Sequence, residues 1–443
     1  MAGLEHAVGC ALDFARCHGA SEVEVGASAA QGLDVTVRLD EIETVEHRHD
    51  RSLSVTVYVG QRKGAASTSD LAPEAIRATV EKACAFARFT GEDPYAGLLE
   101  ADAVAHDVPD LDLDHPWALE PGEAIEVARR CERAGFAAES RVTQSLGASV
   151  SRGEVSAVIG NSHGFLAGYA HTTHSIGCAL VAGHESRMER GSWLTVARDA
   201  ADLQAPETVG ATAAGRAAQR LGARKLRTCR APVLFAPEVA RGLLGHFVAA
   251  VQGTSQYREA SFLLGAVGQQ IFPSFVRMSE RPHLPKGLAS APFDAEGAAT
   301  HNRELIDAGI LTGYVLDAYS ARRLGFKTTG NAGGLHNLLV GTVDGVSNPH
   351  RTHEDLLRAM GSGFLVTELM GQGVNRVTGD YSRGATGFWI DGGAIAHAVH
   401  EVTIAGNLKR MYRDIVAIGD DVDARGGIRC GSVWVEEMTI AGD

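Results

Sequence analysis

Residues 21–28, "SEVEVGAS", 33–40, "LDVTVRLD", 41–48, "EIETVEHR", and 52–60, "SLSVTVYVG", each set an apolar or β-branched residue at every second position. Successive side chains of a strand point to opposite faces, so a period of two marks half-buried β-strands. Helical spacing lies on either side. Apolar residues at 4, 8, 11, 12 and 15 fall on one stripe of an opening helix, and "APEAIRATVEKACAFARFTG" (72–91) returns to that period, with Pro73 early and Gly91 as its stop. Two helices around an antiparallel sheet, with no βαβ repeat, read as an α+β fold.

Residues 1–91 therefore form an N-terminal α/β subdomain, and 92–123, acidic and proline-bearing, a linker. A middle α+β subdomain covers 124–227. It opens on the helix "GEAIEVARRCERAGFAAE", continues in strands to about residue 200, and closes on the alanine-rich helix "PETVGATAAGRAAQRLGARK". From 228 to 443 runs a C-terminal β-rich domain with many glycines and short strands. Its hairpin "GFWIDGGAIAHAVHEV" turns at Asp391-Gly392-Gly393, where positive φ is needed. One late helix, "NLKRMYRDIVAIG", and a final strand, "SVWVEEMTI", end the chain.

The 443 residues suffice for two or three domains, and 45% hydrophobic against 21% charged residues excludes global disorder. A formal net charge of −13 argues against binding nucleic acid through its phosphates. The basic clusters "RRCER" and "GARKLR" read as solvated helix faces. Seven scattered cysteines, odd in number and never in a C-x-x-C pair, point to reduced thiols and a cytoplasmic protein. The N-terminus lacks a basic leader, and no run approaches the roughly 20 apolar residues that span a bilayer.

Short motifs offer little chemistry. "GNSHG" (160–164) fits G-x-S-x-G, but a nucleophile elbow needs a helix after its serine, and alternating sequence follows Ser162. A hairpin turn is expected. Three His-Glu pairs, His184-Glu185, His353-Glu354 and His400-Glu401, have Met188, Leu357 and Ile404 where a zinc-binding H-E-x-x-H helix needs its second histidine. The "THEDLLRAM" run instead gives Thr352 as an N-cap with an acidic first turn. His171 and His174 would face opposite ways on a strand. "GFKTTG" (325–330) lacks Walker spacing. Glycines let "MGQGVNRVTGDYSRGATG" (370–387) bend sharply around Asn375, Arg376, Asp380, Tyr381 and Arg383, as a functional loop or an irregular connection between strands would. In "ARGLLGHFVAAVQG" (240–253), His246 stands without an acidic neighbour or a second histidine.

Longer runs carry a resemblance. "SLSVTVYVGQRKGAASTSDL", "FLLGAVGQQIFP", "KGLASAPFDAEG", "TTGNAGGLHN", "VTELMGQGVNRVTGDYSRGATGFWI", "EVTIAGNLKRMYRDIVAIGDD" and "CGSVWVEEMTIAG" follow one another over nearly the whole chain. Together they resemble the PmbA/TldE family. That resemblance implies a bacterial cytosolic subunit that pairs with a TldD sister in a zinc metallopeptidase for peptides or unfolded segments, serving peptide-precursor maturation and antitoxin turnover. The sister's H-E-x-x-x-H motif falls on His246, Phe247 and Val251 of this chain. Phenylalanine cannot take the proton of an attacking water, and valine cannot bind zinc. The resemblance thus implies no metal here, zinc in the TldD-like partner, a packed or hydrogen-bonded His246, Cys430 as a small buried hydrophobe, and the 375–383 residues as candidates to line a substrate channel. An autonomous hydrolase at Ser162 or an unrecognised metal site, a non-proteolytic binding protein, and a homodimer of this chain are the other readings.

Overall fold

A computed structural model describes residues 1–343 and 352–442. Helix α1 (Ala2–Cys17) precedes β1 (Glu22–Arg38), β2 (Glu41–Val59) and β3 (Arg62–Thr68), and α2 (Pro73–Phe89) follows. After α3 (Pro121–Ala138) come β4 (Val142–Asn161), β5 (Leu166–Ala182), β6 (Glu189–Ala197) and α4 (Pro206–Gln219). All six strands form one antiparallel sheet in the order β3-β2-β1-β4-β5-β6. The residues expected as two units, 1–91 and 124–227, are thus joined where β1 pairs with β4. Alternation explains the join. Val23, Val25 and Ala27 of β1 pack with α1 and α2, and Leu33, Val35 and Val37, on the same face, pack with α3 and α4.

The four alternating runs are two long strands, not four short ones, and the expectation of a half-buried "EIETVEHR" is corrected. Glu41–Ser52 is exposed throughout, because α3 and α4 lie over β1, β4, β5 and β6 and leave this half of β2 uncovered. At the β1–β2 turn, Leu39 and Asp40 have φ of 52° and 67°. Their N–H groups donate to the buried carboxylate of Glu132 on α3, at 2.9 and 2.8 Å. The helix α4 ends at Gln219, so "GARKLR" is not a helix face; Arg224 forms a bridge with Val399 instead.

The expected linker ends earlier, since α3 begins at Pro121: residues 92–120 contain one short 3-10 turn at Ala101–Ala103, pack first along the C-terminal domain, and end with Trp117 and Leu119 against the core of α3 and α4. Leu99 lies among Ala298 and Ala318, and the Arg322 guanidinium donates to Glu100 (2.8 Å) and to the carbonyls of Tyr95 (3.0 Å) and Gly97 (3.1 Å).

In the C-terminal domain β7 (Cys229–Phe235) leads into α5 (Pro237–Val251) and α6 (Gly253–Tyr257). Strands β8 (Val276–Glu280), β9 (Arg303–Asp307) and β10 (Ile310–Leu311) are followed by α7 (Ala318–Leu324), β11 (Leu338–Thr342) and α8 (His353–Met360). Then come β12 (Gly363–Met370), β13 (Asp380–Asp391), β14 (Ala394–Asn407), α9 (Leu408–Arg413), β15 (Ile415–Ile418), β16 (Ile428–Arg429) and β17 (Val433–Ala441). One sheet has the order β10-β9-β8-β11-β16, the other β14-β13-β12-β7-β17-β15. Because β17 also pairs with β14, strands β14, β13, β12, β7 and β17 close into a ring, and β15 pairs along the remaining part of β17 as an edge strand. The β13–β14 hairpin turns at Gly392 and Gly393, with φ of 59° and 78°, where it was expected. The late helix is shorter than its sequence period suggested. It stops at Arg413, and the β-branched Ile415–Ile418 crosses to pair with β17.

Candidate functional site

Pro237 at the first turn of α5 starts the helix directly after the central strand β7. Leu243, Leu244, Phe247, Ala250 and Val251 form its buried stripe. His246, half-buried, leans the other way, and its ring meets Tyr381 of β13 edge-on at 6.0 Å between centroids. Neither His246 Nε2 nor the Tyr381 hydroxyl has a hydrogen-bond partner among the described residues, although both are buried atoms. Burial, and then the guanidiniums of Arg383 and Arg376, hold the His246 imidazole below the ordinary histidine range; burial pushes the Tyr381 phenol up to about 12. Near neutral pH the pair is an uncharged imidazole and an uncharged phenol beside two cations, a setting suited to a carbonyl or carboxylate. Arg383→Gln is expected to move the His246 titration part-way back up. An NMR titration of the imidazole resonances reads this, and an unmoved midpoint would exclude any influence of the guanidinium.

The structure thus brings together two features that are far apart in sequence, His246 and the glycine-rich 370–387 segment. That segment is half loop, half strand. Asn375 Oδ1 accepts from the N–H groups of Val377 (2.9 Å) and Thr378 (3.2 Å). The Asp380 carboxylate accepts from Thr378 Oγ1 (2.7 Å) and Asn407 Nδ2 (3.1 Å). These two residues build the turn, whereas Tyr381 meets the histidine ring and the charges of Arg376 and Arg383 reach it. The Arg376 carbonyl accepts from Phe262 N–H at 2.9 Å, which ties the turn to the "FLLGAVGQQIFP" run.

The donors around His246 do not fit zinc. Phe247 is fully buried, with its ring edge-on to Phe272 at 5.2 Å. Val251, also fully buried, is the last residue of α5 and lies five residues on, about 140° around the helix from His246. Cys430 Sγ sits 3.9 Å from the Pro237 carbonyl at the opposite end of α5, and burial pushes its thiol up to about 12. No group of three or more His, Cys, Asp or Glu among the described residues is arranged to hold a metal ion.

Ser162 belongs to the β4–β5 turn. Its Oγ accepts from Val23 N–H at 3.1 Å, Asn161 Oδ1 accepts from the N–H groups of His163 and Phe165, and Gly164 has φ of 96°. No helix follows, so no nucleophile elbow forms. On β5, His171 and His174 point apart: burial lowers His171 to about 4 beside Arg198, and His174 Nε2 lies 2.8 Å from the His115 carbonyl. His184 precedes a 3-10 turn, and His400 lies on β14, 3.8 Å from Glu189. Thr352 caps α8 by accepting from Asp355 N–H at 3.1 Å. Sequence spacing missed one further cluster, in which His353 Nδ1 lies 3.3 Å from both Ser432 Oγ and Asp421 Oδ2. A proton relay needs serine and aspartate on different ring nitrogens. Here both meet Nδ1, and Ser432 Oγ donates straight to Asp421 at 2.6 Å, so the cluster anchors α8.

Three models of the PmbA/TldA metallopeptidase match the chain: domain 1 over residues 23–87, the central domain over 114–221 and the C-terminal domain over 228–442. Metalloprotease PmbA of Escherichia coli O157:H7 is 49% identical over 440 residues, 99% of this chain and 96% of the relative. The chain belongs to the PmbA/TldD family. Another PmbA/TldD relative, the Metalloprotease PmbA homolog of Haemophilus influenzae, is 44% identical over 99% of this chain and 96% of its own length. A Bacteroides thetaiotaomicron protein, named in its crystal structure as a candidate modulator of DNA gyrase, superposes with a TM-score of 0.92 at 25% identity, covering 99% of this chain and 98% of that one. TldE of Thermococcus kodakarensis shares the fold, with a TM-score of 0.82 at 20% identity over 98% of this chain and all of that one.

Proposed function

We propose that this PmbA/TldD-family chain is the TldE-like subunit without zinc in a two-chain metallopeptidase for peptides and unfolded segments. A TldD-like partner carries the metal. One observation carries the reading: His246 stands at the first position of the sister motif, but the two positions that would complete it, Phe247 and Val251, are consumed by the core. A hydrolytic zinc site needs three protein ligands and a base for the attacking water, and neither can be assembled around one imidazole. The relatives named metalloprotease support the coarser activity, and the TldE neighbour supports the fold. In this reading Tyr381, Arg376 and Arg383 line the substrate's route, with Asn375 and Asp380 shaping their loop. No helix among the described residues is long and apolar enough to cross a membrane. Seven unpaired cysteines favour the cytosol as the compartment, and peptide-precursor maturation and antitoxin turnover are the roles that suit a partner-dependent peptidase.

The test compares this chain, a TldD-like chain and their mixture on an unstructured fluorogenic peptide, with zinc measured in each preparation. Cleavage is expected only in the mixture, to be abolished by chelator, with zinc in the TldD-like chain. Cleavage by this chain alone, or a full equivalent of zinc held by it without an affinity tag, would overturn the reading.

A further inference from the structure

A cleft of about 380 Å³ opens where the edge strand β6 faces α4, α5 and β12. Five arginines line it in a chain whose net charge is −13: Arg190 from β6, Arg216 from α4, Arg220 just past the end of α4, Arg241 from α5, and Arg425 from the loop before β16. Three carboxylates answer them. Glu368 pairs with Arg190 and Arg220, Glu238 with Arg216, and Asp423, its side chain 4% exposed, with Arg425 and Arg241. The excess charge is positive and concentrated. At its centre Trp193 carries two guanidinium groups, Arg216 at 4.2 Å and Arg425 at 3.9 Å from the ring centroid. A guanidinium stacked on an aromatic face keeps its in-plane N–H groups for carboxylates; Arg425 already gives Nε and Nη2 to Asp423 and Nη1 to the Leu194 carbonyl, whereas Arg216 gives Nη2 to Glu238.

Two further features narrow the occupant. The carbonyls of Arg190 and Leu194 accept from Arg220 (3.2 Å) and Arg425 (2.9 Å), so cations blunt the edge of β6 and side-chain charge, not strand addition, dominates recognition. The cleft also continues, past Arg216, Arg220, Glu238 and Thr367, into a hollow of about 220 Å³ with Leu365, Phe388 and Ile395 on its wall. A small anion would leave that hollow unfilled.

We propose that this cleft docks an acidic polypeptide segment, with its carboxylates on the guanidiniums around Trp193 and a neighbouring apolar side chain in the Leu365–Phe388–Ile395 hollow. As a substrate-selecting surface it rests on the peptidase reading, whereas binding itself requires neither the sister chain nor cleavage, so the two ideas fail separately.

The experiment measures fluorescence anisotropy of a short labelled peptide rich in glutamate with a few leucines, titrated with the purified full chain. A lysine-for-glutamate counterpart and inorganic phosphate serve as comparisons. The glutamate peptide is expected to bind, more weakly as salt rises. The double variant Arg190→Gln/Arg216→Gln should weaken it about tenfold or more, since charge-assisted hydrogen bonds are lost. Glu238→Gln, which removes a competing carboxylate, should tighten it, a gain that misfolding cannot imitate. Equal binding of the lysine peptide, unchanged affinity in both variants, or displacement by phosphate at concentrations equal to the peptide's would overturn the proposal.

Discussion

Phe247→Ala is expected to lower the stability of the chain by about 3–5 kcal/mol, the range for emptying a large aromatic site in a packed core. Three rings account for the size. Phe247 stands edge-on to Phe272 at 5.2 Å and to Tyr412 at 6.2 Å, and Tyr412 and Phe272 lie 4.9 Å apart. Tyr412, on α9, also donates its hydroxyl proton to the Leu243 carbonyl of α5 at 2.9 Å, so the cluster fixes the register of one helix on the other. A shift in the urea midpoint at unchanged slope reads the loss; a change below about 1 kcal/mol would mean the site collapses freely and the packing argument fails. Phe247→Glu is expected to cost more, because the carboxylate would enter this aromatic cluster. The residue type that a zinc peptidase needs at this position is the type that this core least tolerates. Restoring the sister motif by Phe247→Glu with Val251→His should therefore unfold the chain before it supplies a base and a ligand.

Periodicity served well where a single helix layer decides burial. The stripe of α1, the alternation of β1 and the Gly392–Gly393 turn follow from local rules, and the structure has them. It served poorly where tertiary cover is uneven. "EIETVEHR" alternates like its neighbours but meets no helix, and "DIVAIG" looks helical until Ile415–Ile418 finds an open side of β17. That Phe247 and Val251 can supply neither a base nor a zinc ligand was legible, because it depends on residue identity. The contact of His246 with Tyr381, 135 residues later, was not, since no spacing rule links α5 to β13. The arginine cleft was invisible for the same reason: Arg190, Arg216 and Arg425 come from three elements, and each alone reads as an ordinary surface cation. Only a count of basic residues on the folded surface could have found it.

The run "TTGNAGGLHN", one of the seven that carry the family resemblance, contains no catalytic pattern, yet Glu280→Ala is expected to cost about 3–5 kcal/mol because of it. Glu280 is 1% exposed at the end of β8. Its Oε2 accepts from Arg303 Nε at 2.6 Å, and its Oε1 from Asn331 Nδ2 at 2.7 Å and the N–H of His336 at 2.8 Å. Arg303 in turn donates to Asn331 Oδ1 and to the Tyr314 carbonyl, both at 2.8 Å. Removing the carboxylate leaves a largely buried guanidinium with its counter-charge gone and a backbone N–H without its acceptor; that loss, rather than the net worth of the ion pair, sets the size of the effect. Glu280→Gln, which keeps one acceptor oxygen, should lose less, and the same pair of variants in an Arg303→Met background should lose less again because no cation is stranded. Equal losses in both backgrounds, read from urea midpoints, would show that Arg303 and Glu280 are not coupled. With coupling, the long specific runs of this family are explained as wiring: Asn331, His336 and Asn337 fold a glycine-bearing segment, with Gly330 at φ of 68°, onto buried polar partners. Burial of its polar groups is then enough by itself to make such a segment intolerant of substitution.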